Sequence, residues 1–135
     1  MTDKILEIKN YWLKSAEHDY ETMLSLHRSK RFSACLFFGH IVLEKILKAL
    51  VVSETKKSAP FTHDLIALTR LLPKELFNEK DIDLLDDVSR FNIRARYPDV
   101  KLKFYKQCTA SYTKKYFDAI KQLHQKLCQN LTPVK

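Results

Sequence analysis

The sequence predicts an all-α protein: a single up-and-down bundle of about five helices filling residues 1–135. Three observations carry this. The 135 residues include one glycine and four prolines, far too few turn residues for the many short strands of an all-β domain. Hydrophobic residues recur at steps of three and four over long stretches, the period of one helical face. At this length and 45% hydrophobic content, one core is the economical solution, since two half-sized domains would each bury too little surface.

Residues 3–29 place Ile5, Ile8, Trp12, Ala16, Tyr20 and Met23 on one face and predict the first helix. After "HRSKR", residues 32–52 are apolar nearly all round, which predicts a central helix touched on several sides. Gly39 sits inside it at about 1 kcal/mol relative to alanine, so another helix is expected to approach closely there. "SETKKSAP" reads as a loop. Thr62 is then expected to cap a short third helix, with Asp64 in its first turn and an end near Pro73. Asn78 opens a fourth helix, expected to end near Phe91, with Ile82, Leu85 and Val88 inward. A fifth is expected over about 104–130 on the stripe Tyr105, Cys108, Tyr112, Tyr116, Ala119, Leu123 and Leu127.

No segment reads as a membrane span or signal peptide, which predicts a soluble, cytoplasmic protein. Cys35, Cys108 and Cys128 are odd in number and lie among apolar residues, as reduced core cysteines do. The formal charge of +8 favours a nucleic acid, a nucleotide or an acidic partner, and also fits lysines spread over solvated helix faces.

Candidate chemistry is sparse. A single glycine excludes Gly-rich phosphate loops and the dinucleotide fingerprint. No serine triad signature occurs, and no cysteine has an activating neighbour in sequence. His124 and Cys128, four apart, are too few for a metal site, and Asp83, Asp86 and Asp87 read as an outward, solvated face rather than a cation site. No cofactor or metal is expected. His40, Glu44, Lys45 and Lys48 put acid, base and cation on the central helix. They form either a structural network or the wall of a cleft, because unpaired burial would cost several kcal/mol.

"WLKSAEHDYETMLSL", "RFSACLFFGHIVLEKILKAL", "THDL" and "RARYPD", in this order over Tyr11 to Leu127, resemble the HEPN family, named for higher eukaryotes and prokaryotes nucleotide-binding. The resemblance implies a helical bundle, commonly dimeric and frequently encoded beside a minimal nucleotidyltransferase. Ribonuclease members of that superfamily carry an arginine followed after four to six residues by a histidine. None of Arg28, Arg31, Arg70, Arg90, Arg94 and Arg96 has one at that spacing. The "RYPD" branch resembles the non-nucleolytic members, so the expectation is a non-catalytic protein of a toxin–antitoxin-like module, binding a nucleotide or phosphate-bearing ligand. A ribonuclease with a non-standard site and a purely structural dimerisation module are the alternatives.

In "RFNIRARYPDV", Pro98 lacks an N–H and biases Tyr97 toward extended backbone, so a loop corner is expected to present its neighbours. Arg94 and Arg96 supply planar donors for phosphate, Tyr97 a ring and a hydroxyl, and Asp99 a group to orient an arginine. With Glu44, Lys48 and the His63 of "THDL", these form the candidate ligand-binding set. The competing expectation is an internal clasp of the arginines onto Glu44 or Asp19. A homodimer is expected from the apolar second helix and its small residues Ala34, Cys35 and Gly39.

Overall fold

The computed structural model describes residues 2–131, save the side chains of Pro98 and Asp99. Among these residues there are six helices: α1 (Asp3–Arg28), α2 (Phe32–Thr55), α3 (Leu65–Thr69), α4 (Glu79–Arg96), α5 (Pro98–Gln107) and α6 (Ala110–Gln129). One 3-10 turn, Lys74–Leu76, stands between α3 and α4. No strand occurs among the described residues.

α1 starts at Thr2, whose side chain accepts from the Ile5 amide at 3.2 Å. Lys30, at φ 61°, turns the chain back into α2. α2 is central, packing against α1, α3, α4 and α6, and most of its side chains are buried. Gly39 is one reason the layers come so close. A Cβ there would stand 2.7 Å from Ile120 Cδ1 on α6 and 3.5 Å from Met23 Sδ on α1. The close approach expected at Gly39 is thus made by the chain's own helices. Cys35 is fully buried as well, so the apolar surface of α2 that prompted the expectation of a dimer is largely consumed inside the bundle.

Three boundaries depart from the sequence reading. Asp64, not Thr62, caps α3: its carboxylate accepts from the Ile66 and Ala67 amides at 3.0 and 3.4 Å, while Thr62 Oγ1 accepts from the Asp64 amide at 3.0 Å. α4, opened by a reciprocal capping box of Asn78 and Asp81, continues past Phe91 to Arg96. The long fifth helix is two helices. Thr109 accepts from the Tyr112 amide at 3.3 Å and caps α6, while Cys108 (φ −79°, ψ 67°) ends α5; a good capping residue satisfies amides that a continuous helix would not leave free. Tyr105, read as part of the inward stripe, therefore belongs to α5 and is 66% exposed.

The acidic face of α4 is outward, with Asp83 and Asp86 exposed, and part of it is bonded to neighbouring side chains. Arg90 bridges Asp86 and Asp87 at 3.0 and 3.2 Å, and Asp87 accepts from the Tyr116 hydroxyl of α6 at 2.9 Å. Lys126 of α6 reaches Asp81. The Tyr116 and Lys126 bonds fix α6 laterally against α4.

Candidate functional site

Spacings of three and four put Phe37, His40, Glu44 and Lys48 on one stripe of α2, and this stripe connects the two groups of candidate residues. At its lower end Glu44, 7% exposed, accepts from Lys48 Nζ at 3.2 Å and from His63 Nδ1 at 2.8 Å. Lys48 Nζ also stands 5.1 Å from the centre of the Trp12 ring. "THDL" supplies His63 because Asp64 fixes the start of α3, holding the preceding residue over α2. Its backbone carbonyl accepts from His40 Nε2 at 2.8 Å.

That bond sets the His40 tautomer: Nε2 carries the proton, leaving Nδ1 as a buried lone pair without a partner among the described residues. Burial holds the His40 imidazole below its ordinary value of 6.5, against the opposite pull of the His63 carbonyl and the Glu44 charge. His40 is consequently neutral, and its 3.9 Å approach to Glu44 is a contact rather than an ion pair. On the other side of α2, Lys45 donates to Ser15 Oγ at 2.6 Å and to Asp19 at 2.5 Å.

The upper end is the junction of α4 and α5. Tyr97 is extended (φ −90°, ψ 126°) and serves as both the C-cap of α4 and the N-cap of α5. Pro98 is the first residue of α5, where its missing N–H costs no helical bond. The expected loop corner is therefore a one-residue hinge between helices. Tyr97 is 58% exposed. Arg96 donates from Nε to Asn92 Oδ1 at 2.8 Å and lies 5.2 Å from the centre of the Phe37 ring. Neither Arg94 nor Arg96 makes an ion pair among the described residues. The anticipated clasp is thus not formed: Asp19 is held by Lys45, and Glu44 by Lys48 and His63. The Asp99 side chain lies outside the described residues.

Arg96 borders a groove of about 520 Å³ between α2, α4 and α5, with Ser33, Phe37, Lys101 and Phe104 in its walls. Sequence reasoning missed Phe37 and Lys101. The helical step from Phe37 to His40 was the available signal for the first; Lys101 became visible only once α5 folded back onto α2. His124 stacks on Tyr20 with centroids 4.2 Å apart, and no group of three His, Cys, Asp or Glu suited to a metal is found among the described residues.

Comparison with known proteins assigns this architecture. The HEPN domain model matches residues 10–130. The chain belongs to the HEPN domain family. Its fold is shared with the crystal structure of TT1696 from Thermus thermophilus, with a TM-score of 0.76 at 16% identity, over 90% of this chain and 96% of that one. Among curated proteins none matches. In this HEPN chain the family-like segments "EKILKAL" and "THDL" meet at Glu44 and His63, while "RYPD" forms the α4–α5 hinge. No helix among the described residues is long and apolar enough to cross a membrane.

Proposed function

We propose that this HEPN protein is a non-catalytic binding module that takes a nucleotide or other phosphate-bearing ligand in the groove beside the α4–α5 hinge and works with a minimal nucleotidyltransferase. The supporting observation is the state of Arg96. Asn92 and the Phe37 ring hold its guanidinium in place, and its terminal nitrogens have no protein acceptor among the described residues. A planar donor held in this way suits a phosphate. Lys101 adds a second cation at the groove wall, and the exposed Tyr97 ring stands next in sequence, available to a base. Leu102 and Tyr105, exposed on α5, give a partner protein an apolar foothold beside the ligand.

Calorimetric titration with adenine and guanine nucleotides tests this. Replacing Arg94 and Arg96 with alanine should weaken binding at least about tenfold, the loss of a charge-assisted bond or two, and leave the thermal midpoint nearly unchanged. Equal affinity in the folded double variant would remove the site.

A ribonuclease reading has one observation of its own. His63, its side chain 58% exposed, is oriented by a carboxylate that is 10% exposed, the arrangement of a base and its positioning partner. RNA cleavage by the wild type that disappears in His63→Ala would support it.

A further inference from the structure

A second groove, of about 490 Å³, opens between α1 and the segment preceding α3; its walls include Glu7, Tyr11, Trp12 and Phe61. Its chemistry is the reverse of the Arg96 groove. Four other grooves on this surface each include at least one lysine or arginine. Here the lining holds three aromatic rings and one carboxylate, with no cation. Glu7 makes no ion pair among the described residues. Tyr11 and Trp12 have centroids 5.2 Å apart and planes 70° to one another, two walls of a corner. Phe61, fully exposed, is only two residues from His63, whose bond to Glu44 at 2.8 Å anchors the segment.

Aromatic faces carry negative quadrupole density, and several of them around one space favour a cation whose hydration is weak, above all a methylated ammonium. We infer that this groove binds a small quaternary or methylated ammonium compound, with Tyr11, Trp12 and Phe61 around the methyl groups and Glu7 as the counter-charge. The volume lies in the range of small-molecule sites, roughly 300–1,000 Å³. Trp12 already receives the Lys48 ammonium at 5.1 Å from its ring centre, but Glu44 at 3.2 Å neutralises that charge. Of the chain's +8, exposed charges farther than about 8 Å are screened at physiological salt, and the nearby Lys48 is paired with Glu44. An inorganic cation is poorly served, having one carboxylate and no cluster of hard ligands.

Trp12 is the only tryptophan, so intrinsic fluorescence reads the groove directly. Choline should change it saturably at constant ionic strength, while the uncharged isostere 3,3-dimethylbutanol should bind at least about fivefold more weakly. Phe61→Ala and Glu7→Gln, both exposed and verified by an unchanged thermal midpoint, should each weaken choline about two- to fivefold. Arg96→Ala should leave choline affinity unchanged, which separates this site from the nucleotide groove. No saturable response to choline, equal binding of the uncharged isostere, or full affinity in both groove variants would overturn the proposal. A trimethyllysine peptide binding more than about tenfold tighter than choline would overturn a small molecule as the occupant.

Discussion

Glu44 and Arg96 stand near opposite ends of one stripe of α2 and meet opposite circumstances. Glu44 is buried and has a lysine and a histidine on its two oxygens; Arg96 is exposed, bonded through Nε alone, with its terminal nitrogens unclaimed among the described residues. In the first region the protein pairs its own charges, which hold α2, α1 and the start of α3 in register. In the second, an arginine is positioned by Asn92 and Phe37 and has no ion-pair partner among the described residues. A buried and internally paired carboxylate serves the fold, whereas a positioned and unsaturated donor is available to a ligand.

The sharpest way to break the comparison is Glu44→Ala. It leaves the buried Lys48 ammonium, 6% exposed, without its partner, and removal of one member of a buried pair costs about 3–5 kcal/mol. Urea unfolding should show that loss, in contrast to no more than about 0.5 kcal/mol for the two arginines at the hinge. A Glu44→Ala protein as stable as the wild type would mean the network holds nothing.

Gly39→Ala tests the close approach beneath the stripe. The added methyl meets Ile120 Cδ1 at 2.7 Å, and overpacking costs about 1–3 kcal/mol, offset by about 1 kcal/mol of helix propensity. A net loss of up to about 2 kcal/mol is expected. Adding Ile120→Val deletes the opposing atom, so the double variant should recover part of it. Strict additivity in a double-mutant cycle would show that the two residues do not meet.

The last effect is in acid. Burial depresses the proton affinity of His40 in the folded state, and of His124 likewise. Each is neutral in the native protein and takes its proton at the ordinary value near 6.5 when unfolded. Below that pH the unfolded chain therefore binds more protons, so this stability is complete above about 6.5 and falls as pH drops, by at most about 1.4 kcal/mol per pH unit for each group. Denaturation midpoints at about pH 7.5 and 5.5 should differ. His40→Gln keeps a donor for the His63 carbonyl and should flatten the dependence; an unaltered slope would assign it to other groups.

Local sequence was sufficient for the fold class, the first two helices and the Asn78 start of α4, because hydrophobic period and capping chemistry act within a few residues. It also brought out Glu44, Lys48 and His63, through their polar character and the "THDL" segment. Tertiary structure decided what each touches. Whether Glu44 meets His63 or an arginine depends on contacts between residues far apart in the chain, and no local pattern encodes them. The break at Thr109 illustrates the same division: the stripe from Tyr105 to Leu127 satisfies a helical period, but the choice between one helix and two fell to a threonine cap and to Phe104, which packs 5.3 Å from Phe91 only when α5 folds back. That reversal builds the groove beside Arg96, since it brings Lys101 across to α2, and it is made by packing energy summed over the core rather than by any residue's own preference.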